Sequence, residues 1–489
     1  MQVWLDLARL NAPYLMLIAP LLAAALAGLA PGARSAWAIA CVGALMAALI
    51  GGDLAYRVLC LDAPPNFAQI GVALHFDGVG AMAAPIIALS GALAVIAGGA
   101  LCRSEFNPRA APIAMALALC MIAGWIGAAL AADFVALFVA AETAWLASVA
   151  LVALTGERDR GALSAALRML SAGGVASALM LFGVALIFRG AGGMGIAPLA
   201  VAQLQSPDLV AAGLGLALAA LALKAGVAPL HAWVGGAYGR SGNFAAIALG
   251  AIGSIGALAA VLRVAAAGLA APAIGQGISA ALVAIGIASV LIGSVQAVGA
   301  RSLRRLAAYA GAAQAGCLLV SVALGSPAGF AASLVQLGAQ AAAALALLVG
   351  AASLGGTASL TALDGLSRRA PLASAALTAG ALSLMGAPLT LGFLGRWRLI
   401  EAGVGGGWWW AAGAVIVTSL AGVFYGGRLI ERIYFRHATK AYEGARDPWR
   451  LALAPALIAA IAATAIGLEP SSLLRAADVA AHLLIGEAQ

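Results

Sequence analysis

An all-α, polytopic membrane protein of about fourteen helices is the fold class this sequence predicts, and three observations predict it. Only 9% of the residues are charged, against about a quarter in soluble domains. Hydrophobic residues make up 64% of the chain, and the mean hydropathy is +1.06. The apolar residues also come in long runs. Crossing about 30 Å of hydrocarbon takes roughly 20 residues as helix, because backbone polar groups must pair among themselves where water is absent.

In chain order the runs cover 13–30, 35–51, 78–101, 111–130, 132–155, 164–188, 209–227, 243–267, 276–298, 304–324, 328–354, 371–393, 407–431 and 450–467. The first ends in Ala27, Gly28, Leu29 and Ala30, small residues of the kind found at cleavage sites. Asp6 accompanies Arg9 ahead of it, however, so the positive leading segment of a signal peptide is missing and a retained helix is expected. The longest polar stretches, 52–77 and 432–450, are about 20 to 25 residues each, too short for a second folded unit. A single membrane domain over 1–489 is therefore expected. Beyond the last run, Leu473, Leu474, Val479, Ala480, Leu483 and Leu484 recur at helical spacing between Arg475, Asp478 and His482, the pattern of a short interfacial helix.

A net charge of +8 would point to nucleic acid in a soluble protein, but here the cations sit in short loops. The odd-numbered connections hold Arg34; Arg103 and Arg109; Arg158 and Arg160; Arg240; Arg301, Arg304 and Arg305; Arg368 and Arg369; and the Arg428 to Arg450 cluster, with Lys440 and Arg446. In or near the even-numbered ones lie Arg57, Arg189, Arg263, Arg396 and Arg398. The positive-inside rule then places the odd loops in the cytoplasm and both termini on the opposite side, and the basic balance needs no nucleic-acid partner. Cys41, Cys60, Cys102, Cys120 and Cys317 are scattered singly, as are His75, His231, His437 and His482. Neither set has the spacing of a zinc, iron–sulfur or haem site, so no metal, cofactor or redox centre is expected in this chain.

Two runs are interrupted alike. The seventh ends in Lys224-Ala225-Gly226-Val227-Ala228-Pro229-Leu230, and the twelfth contains Gly386-Ala387-Pro388-Leu389. Proline removes a backbone donor and clashes with the preceding turn, and breaks at corresponding places in two halves are the pattern of inverted repeats around a transport site. Gly and Pro are also common in membrane helices generally. The offset of five helices between the breaks makes 110–267, helices four to eight, and 276–431, helices nine to thirteen, the candidate repeats.

An ionisable group at bilayer depth is costly and marks a pairing or transport role. Glu142 lies about ten residues into the fifth run, near 15 Å deep. Lys224 lies near the end of the seventh, just before its break. At similar depth the two can pair, and one proton neutralises either. Of the 26 cationic residues only Lys224 and Lys440 are lysine, and a desolvated lysine can release a proton where arginine stays charged. A proton relay and a structural ion pair joining two helices are the two readings of this pair. His231, followed at two residues by Trp233, is either a relay or an interface anchor. Arg396 and Arg398 follow the second break, buried or reaching to an interface. Asp133 is expected to cap a helix start, and Gln296, Gln314, Gln336 and Gln340 to hold water or bond across helices.

With these residues in view, the sequence resembles the antiporter-like subunits of respiratory complex I and the Mrp cation/proton antiporters. Asp133 to Ser148 resembles the family's fifth-helix Glu motif, and Leu221-Ala222-Leu223-Lys224 through Trp233 its seventh-helix K-x-x-x-x-P-x-H-x-W motif. Arg301 to Tyr309 resembles the loop S-L-K-R-L-L-A-Y, and Ser383 to Arg396 the motif S-L-x-G-I-P-x-x-x-G-F-x-G-K. The resemblance spans about 70 to 440, and motif order, length and helix count are most similar to the complex I branch, with the Mrp branch second. It implies a proton-translocating part of a larger machine, with Glu142 and Lys224 as the coupling pair of a first half-channel. In the second half Ser254 stands where the family has an eighth-helix Lys, Gln314 where it has a tenth-helix His, and Arg396 where it has a twelfth-helix Lys. Ser and Gln can carry a water wire without holding charge, and Arg does not release its proton.

The leading expectation is a proton-translocating subunit of a multisubunit respiratory complex, a translocase part with no redox centre of its own, in a bacterial inner membrane. Its partners would be other membrane subunits, the lipid bilayer and protons, or sodium in their place. The alternatives are a Mrp-type cation/proton antiporter subunit and a non-pumping scaffold in a hydrogenase-type or carbon-uptake membrane complex, the latter motivated by Ser254, Gln314 and Arg396.

Overall fold

A computed structural model describes residues 11–61, 73–157, 159–200, 204–352, 359–437 and 450–486. Asp6, Arg9, Arg158, Lys440 and Arg446 lie outside the described residues. Helix accounts for nearly all of what is described, and the remaining pairing is confined to isolated bridges such as Leu74 with Ala131.

In chain order the helices are α1 (Ala12–Gly28), α2 (Ala33–Cys60), α3 (Gly78–Glu105), α4 (Ala110–Leu130), α5 (Phe134–Leu154), α6 (Arg160–Ala191), α7 (Pro207–Ala225) and α8 (Val234–Arg240). Then come α9 (Asn243–Ala270), α10 (Gly275–Gly299), α11 (Leu303–Ala323), α12 (Pro327–Ala352), α13 (Pro371–Met385), α14 (Leu391–Gly405), α15 (Ala411–Phe435), α16 (Arg450–Leu468) and α17 (Ser471–Gly486). Among the described residues eleven are long and apolar enough to cross a membrane, or twelve if the bent pair formed by α16 and α17 is one span. α1 and α13 are apolar but shorter. The count reaches about fourteen only when these two are added and α7 with α8, and α13 with α14, are each read as one broken span.

The helix starts follow from short acids placed ahead of apolar runs. The Asp77, Asp133 and Asp159 carboxylates accept the Gly80, Ala136 and Gly161 backbone N–H groups, satisfying donors that a helix start leaves open. The apolar runs differ in how they are covered. α3, α4, α9, α11 and α12 are buried on most sides, with Trp125, Phe244 and Ile87 sealed inside. α2, α6 and α10 bury one face and turn large apolar side chains outward, among them Leu49, Leu167, Phe182 and Val295. An outer surface of that kind is soluble in hydrocarbon and not in water, so the chain is a multi-pass membrane protein.

Three expectations change. α17 is more than an interfacial helix: it turns back 86° from α16, packs on α3 and α12, and buries Ala477, Ala480 and Ala481 completely. Its Asp478 pairs with Arg398, expected either buried or reaching to an interface and found partly buried, its side chain 22% exposed. Arg263 and Arg396, counted with the even-numbered loops, are 3% and 2% exposed and so carry no weight in a loop-charge tally.

Candidate functional site

Lys224 enters the centre of the bundle because α7 stops there. Gly226 takes φ 76°, a left-handed conformation that glycine reaches without steric cost, and the Ala228–Pro229 peptide that follows is cis. The chain resumes at α8, leaving a gap of unwound backbone at depth. This is tolerated in a membrane only inside protein or beside a cavity.

The amine meets its acid there. Lys224 Nζ donates to Glu142 Oε1 at 2.5 Å, with side-chain exposures of 2% and 17%. The Ser177 hydroxyl of α6 donates to the same oxygen at 2.5 Å. The Lys224 nitrogen also lies 5.5 Å from the centre of the Trp145 ring, within range of a cation–π contact. Trp145 stands edge-on to Trp233 at 5.0 Å and 88°, and the Trp233 indole donates to the Leu223 carbonyl at 2.9 Å, one of the acceptors freed by the end of α7. Ser177, Trp145 and Trp233 were not singled out as partners of the pair from sequence. Trp145 could have been, since it lies three residues beyond Glu142 on one helix face.

The remaining candidates fall into two groups. His231 leaves the pair: its Nε2 lies 2.6 Å from Gln296 Oε1 on α10, and its ring is edge-on to Tyr309 at 6.2 Å. Ser254 faces inward from α9 directly after a π-helical turn, Leu249–Gly253, a local widening that is frequent at functional positions. Gln340 donates to its hydroxyl at 3.1 Å. A cavity of about 30 Å³ joins this point to the first break, lined by Gly226, Trp233, Tyr238, Ser254, Gln340 and Leu384. That is room for about one water.

Gln314 and Arg396 belong to the second break. Gln336 donates to Gln314 at 2.7 Å, and Gln314 donates to the Leu384 carbonyl at 3.1 Å. Arg396 donates to the Leu384 and Met385 carbonyls and, at 2.9 Å, to the Ser419 hydroxyl. These are the carbonyls that α13 leaves open where Gly386, at φ 73°, ends it. The described hydrogen-bond partners of this guanidinium are therefore neutral oxygens, two of them carbonyls at the negative end of a helix, not a carboxylate.

A second buried ion pair was missed from sequence. Arg263 donates to Asp77 at 2.8 Å and to the Ala129, Ala131 and His75 carbonyls. It ties the C-terminal end of α4 to the N-terminal cap of α3, and every donor it uses points at a fixed acceptor. That is a structural clamp.

The family described as NADH:quinone oxidoreductase/Mrp antiporter, transmembrane, matches residues 131–422. NADH-quinone oxidoreductase subunit N of Rhodopseudomonas palustris is 32% identical over 439 residues, covering 88% of this chain and 90% of that one. Subunit N of Desulforudis audaxviator is 29% identical, covering 88% and 83%. Among solved structures, a chain of respiratory complex I from Thermus thermophilus aligns with a TM-score of 0.78 at 25% identity, covering 95% of this chain and 98% of that one. A chain of the Mrp complex from Dietzia aligns at 0.82 and 24%, covering 98% and 97%, a likeness of fold.

Proposed function

Starting from the NADH:quinone oxidoreductase/Mrp antiporter membrane family, to which this chain belongs, we propose that it is the subunit N-like, proton-translocating subunit of a multisubunit respiratory complex, with Glu142 and Lys224 as its coupling pair. The observation that carries the proposal is the 2.5 Å contact between a shielded amine and a partly reachable carboxylate at a broken helix. Such a pair can be switched from one side. While Glu142 is ionised, its charge and hydrogen bond hold the proton on Lys224. Neutralising or drawing away that charge leaves an ammonium with no counter-ion, and a shift of one pKa unit corresponds to about 1.4 kcal/mol. The N–H bond then breaks toward an acceptor beyond the break, and the Ser254–Gln340 cavity supplies the nearest polar route. Reprotonation of Lys224 from the other side and return of the Glu142 charge complete the cycle.

Residues 110–267 and 276–431 are read as the two repeats, each holding one break. On this reading the chain sits in a bacterial inner membrane, and the excess of cations in the odd-numbered connections supports their lying on the cytoplasmic side. The test is proton pumping by the assembled complex in membrane vesicles, driven by its own electron transfer. Lys224→Ala is expected to cut protons moved per electron at least tenfold, and Glu142→Gln several-fold, with sodium replaceable by potassium throughout. Normal pumping by both variants removes the mechanism, and a strict sodium requirement moves the chain to the Mrp type of transport.

The neutral Ser254 and Gln314 and the fixed charge of Arg396 favour one second reading, a non-pumping scaffold subunit. On that reading Ser254→Lys together with Arg396→Lys would create proton flux absent from the natural chain.

A further inference from the structure

We infer that Trp145 is a positioning residue for the Lys224 ammonium, a second holder that keeps the cation in place when Glu142 lets it go; this rests on the proposed coupling role of the pair. The ammonium has two neighbours suited to positive charge. One is the Glu142 oxygen at 2.5 Å; the other is the Trp145 ring, its centre 5.5 Å away. The indole is the strongest of the aromatic faces for a cation, and the attraction grows where water is excluded. Water is excluded here: Trp145 is 2% exposed and Lys224 3%.

The surroundings of Trp145 are cut to admit an indole. A side chain at Gly173 of α6 would overlap the Trp145 nitrogen, so this ring fits only because that position is glycine. Among the described residues the buried indole N–H finds no hydrogen-bond partner, a cost that a phenylalanine would not carry. Trp145 is therefore not held by its polar end. What its ring does engage is the ammonium on one side and the edge of Trp233 on another, and Trp233 is itself fixed by the Leu223 carbonyl.

The two holders differ in how they respond to a proton. Glu142, the titratable group in contact with Lys224, changes charge and is partly exposed; Ser177, Gly173 and Trp233 around them carry no charge, and His231 is turned to Gln296. Trp145 never titrates. When the carboxylate is neutralised, the ammonium keeps an attractive surface at the same place and need not swing toward the exposed side of α5. The next transfer is then aimed into the bundle, and back-leak past Glu142 is suppressed.

The experiment compares Trp145→Phe, Trp145→Leu and Lys224→Ala in the assembled complex in membrane vesicles. It reads complex abundance on a native gel, electron-transfer rate, and protons pumped per electron with and without an opposing proton gradient. Trp145→Phe keeps a ring face and is expected to retain at least half of the coupling. Trp145→Leu is expected to lose coupling about fivefold per electron transferred by the assembled complex, with the loss deepening against the gradient as protons leak back. Equal coupling in the Phe and Leu variants overturns the inference, whichever level they share. Should Leu assemble poorly, Trp145→Met supplies the ringless case with a pliable side chain. Loss of pumping in Lys224→Ala with full pumping in Trp145→Leu sinks the role of Trp145 alone, whereas normal pumping in Lys224→Ala sinks the coupling pair and this inference with it.

Discussion

The two broken helices are built on the same backbone device and do opposite things with charge. α7 ends at Gly226 with φ 76° and α13 at Gly386 with φ 73°, each followed two or three residues later by proline. Each break opens carbonyls and brings in a cation. At the first, the cation is Lys224 on the ending helix itself, its charge answered by a carboxylate that can be neutralised. At the second, Leu384 occupies the place two residues before the glycine, and the cation arrives from α14 as Arg396, answered by carbonyl dipoles that cannot change. The Leu384 carbonyl alone accepts from Arg396, Gln314 and Tyr425. On the proposed reading the first gap acts as a switch, because its ion and counter-ion can both lose their charge; the second, with a guanidinium and carbonyls, acts as a brace.

Removing each cation in turn should separate the two breaks most widely. Arg396→Met leaves the Met385 carbonyl without its donor in a buried site, at about 1–3 kcal/mol, while the Leu384 carbonyl keeps Gln314 and Tyr425. Quantitative immunoblotting of native gels should therefore show assembled complex reduced several-fold. Lys224→Met should leave the assembled amount near wild type while pumping is lost. If Arg396→Met assembles fully and only pumping fails, the second break is a relay and the contrast collapses.

The glycines sharpen it next. Either Gly226→Ala or Gly386→Ala costs about 1–2 kcal/mol for a left-handed alanine. The added methyl meets Val234 Cγ2 at 2.9 Å at the first site but overlaps the Arg396 guanidinium at the second. Thermal unfolding of the purified complex should therefore fall more for Gly386→Ala. Equal losses would mean that Arg396 can move and is no brace.

Ser177→Ala should have a smaller effect. It removes a 2.5 Å hydrogen bond to the Glu142 carboxylate, worth about 1.5–3 kcal/mol to the charged form. Pumping per electron should drop less than tenfold, measured as for Glu142→Gln, and a Ser177→Thr control should restore it. The smallest effect is expected at Leu389, which holds φ 65° in the second break while 59% exposed. Leu389→Gly relieves that strain and should raise the unfolding midpoint slightly without altering pumping.

The parts of this molecule that were legible in the sequence are those set by local physics. Apolar run length placed the spans, Asp133 at the head of one placed its cap, and counting 1.5 Å per residue brought Glu142 and Lys224 to one depth. What escaped depended on contacts between distant segments. Arg263 and Asp77 are 186 positions apart, and an arginine near a span end gives no sign that it turns inward. Ser177 and Gly173 are ordinary residues of an apolar helix until α5 is laid against α6. The docking of α17 likewise needed the bend after α16, because its alternation of leucines and charges suits a membrane surface and a groove between helices equally well.

The place where α17 docks bears on how the chain is made. The Ala480 carbonyl sits so close to Gly78 that any side chain there would overlap it, and Gly78 adjoins Asp77, the acid that holds Arg263. The start of an early span is thus covered by a helix that leaves the ribosome long after it. Until α17 has been made, α3 stands in the bilayer with the Gly78 side of its first turn unsealed, and a chain cut short before Ser471 never closes it.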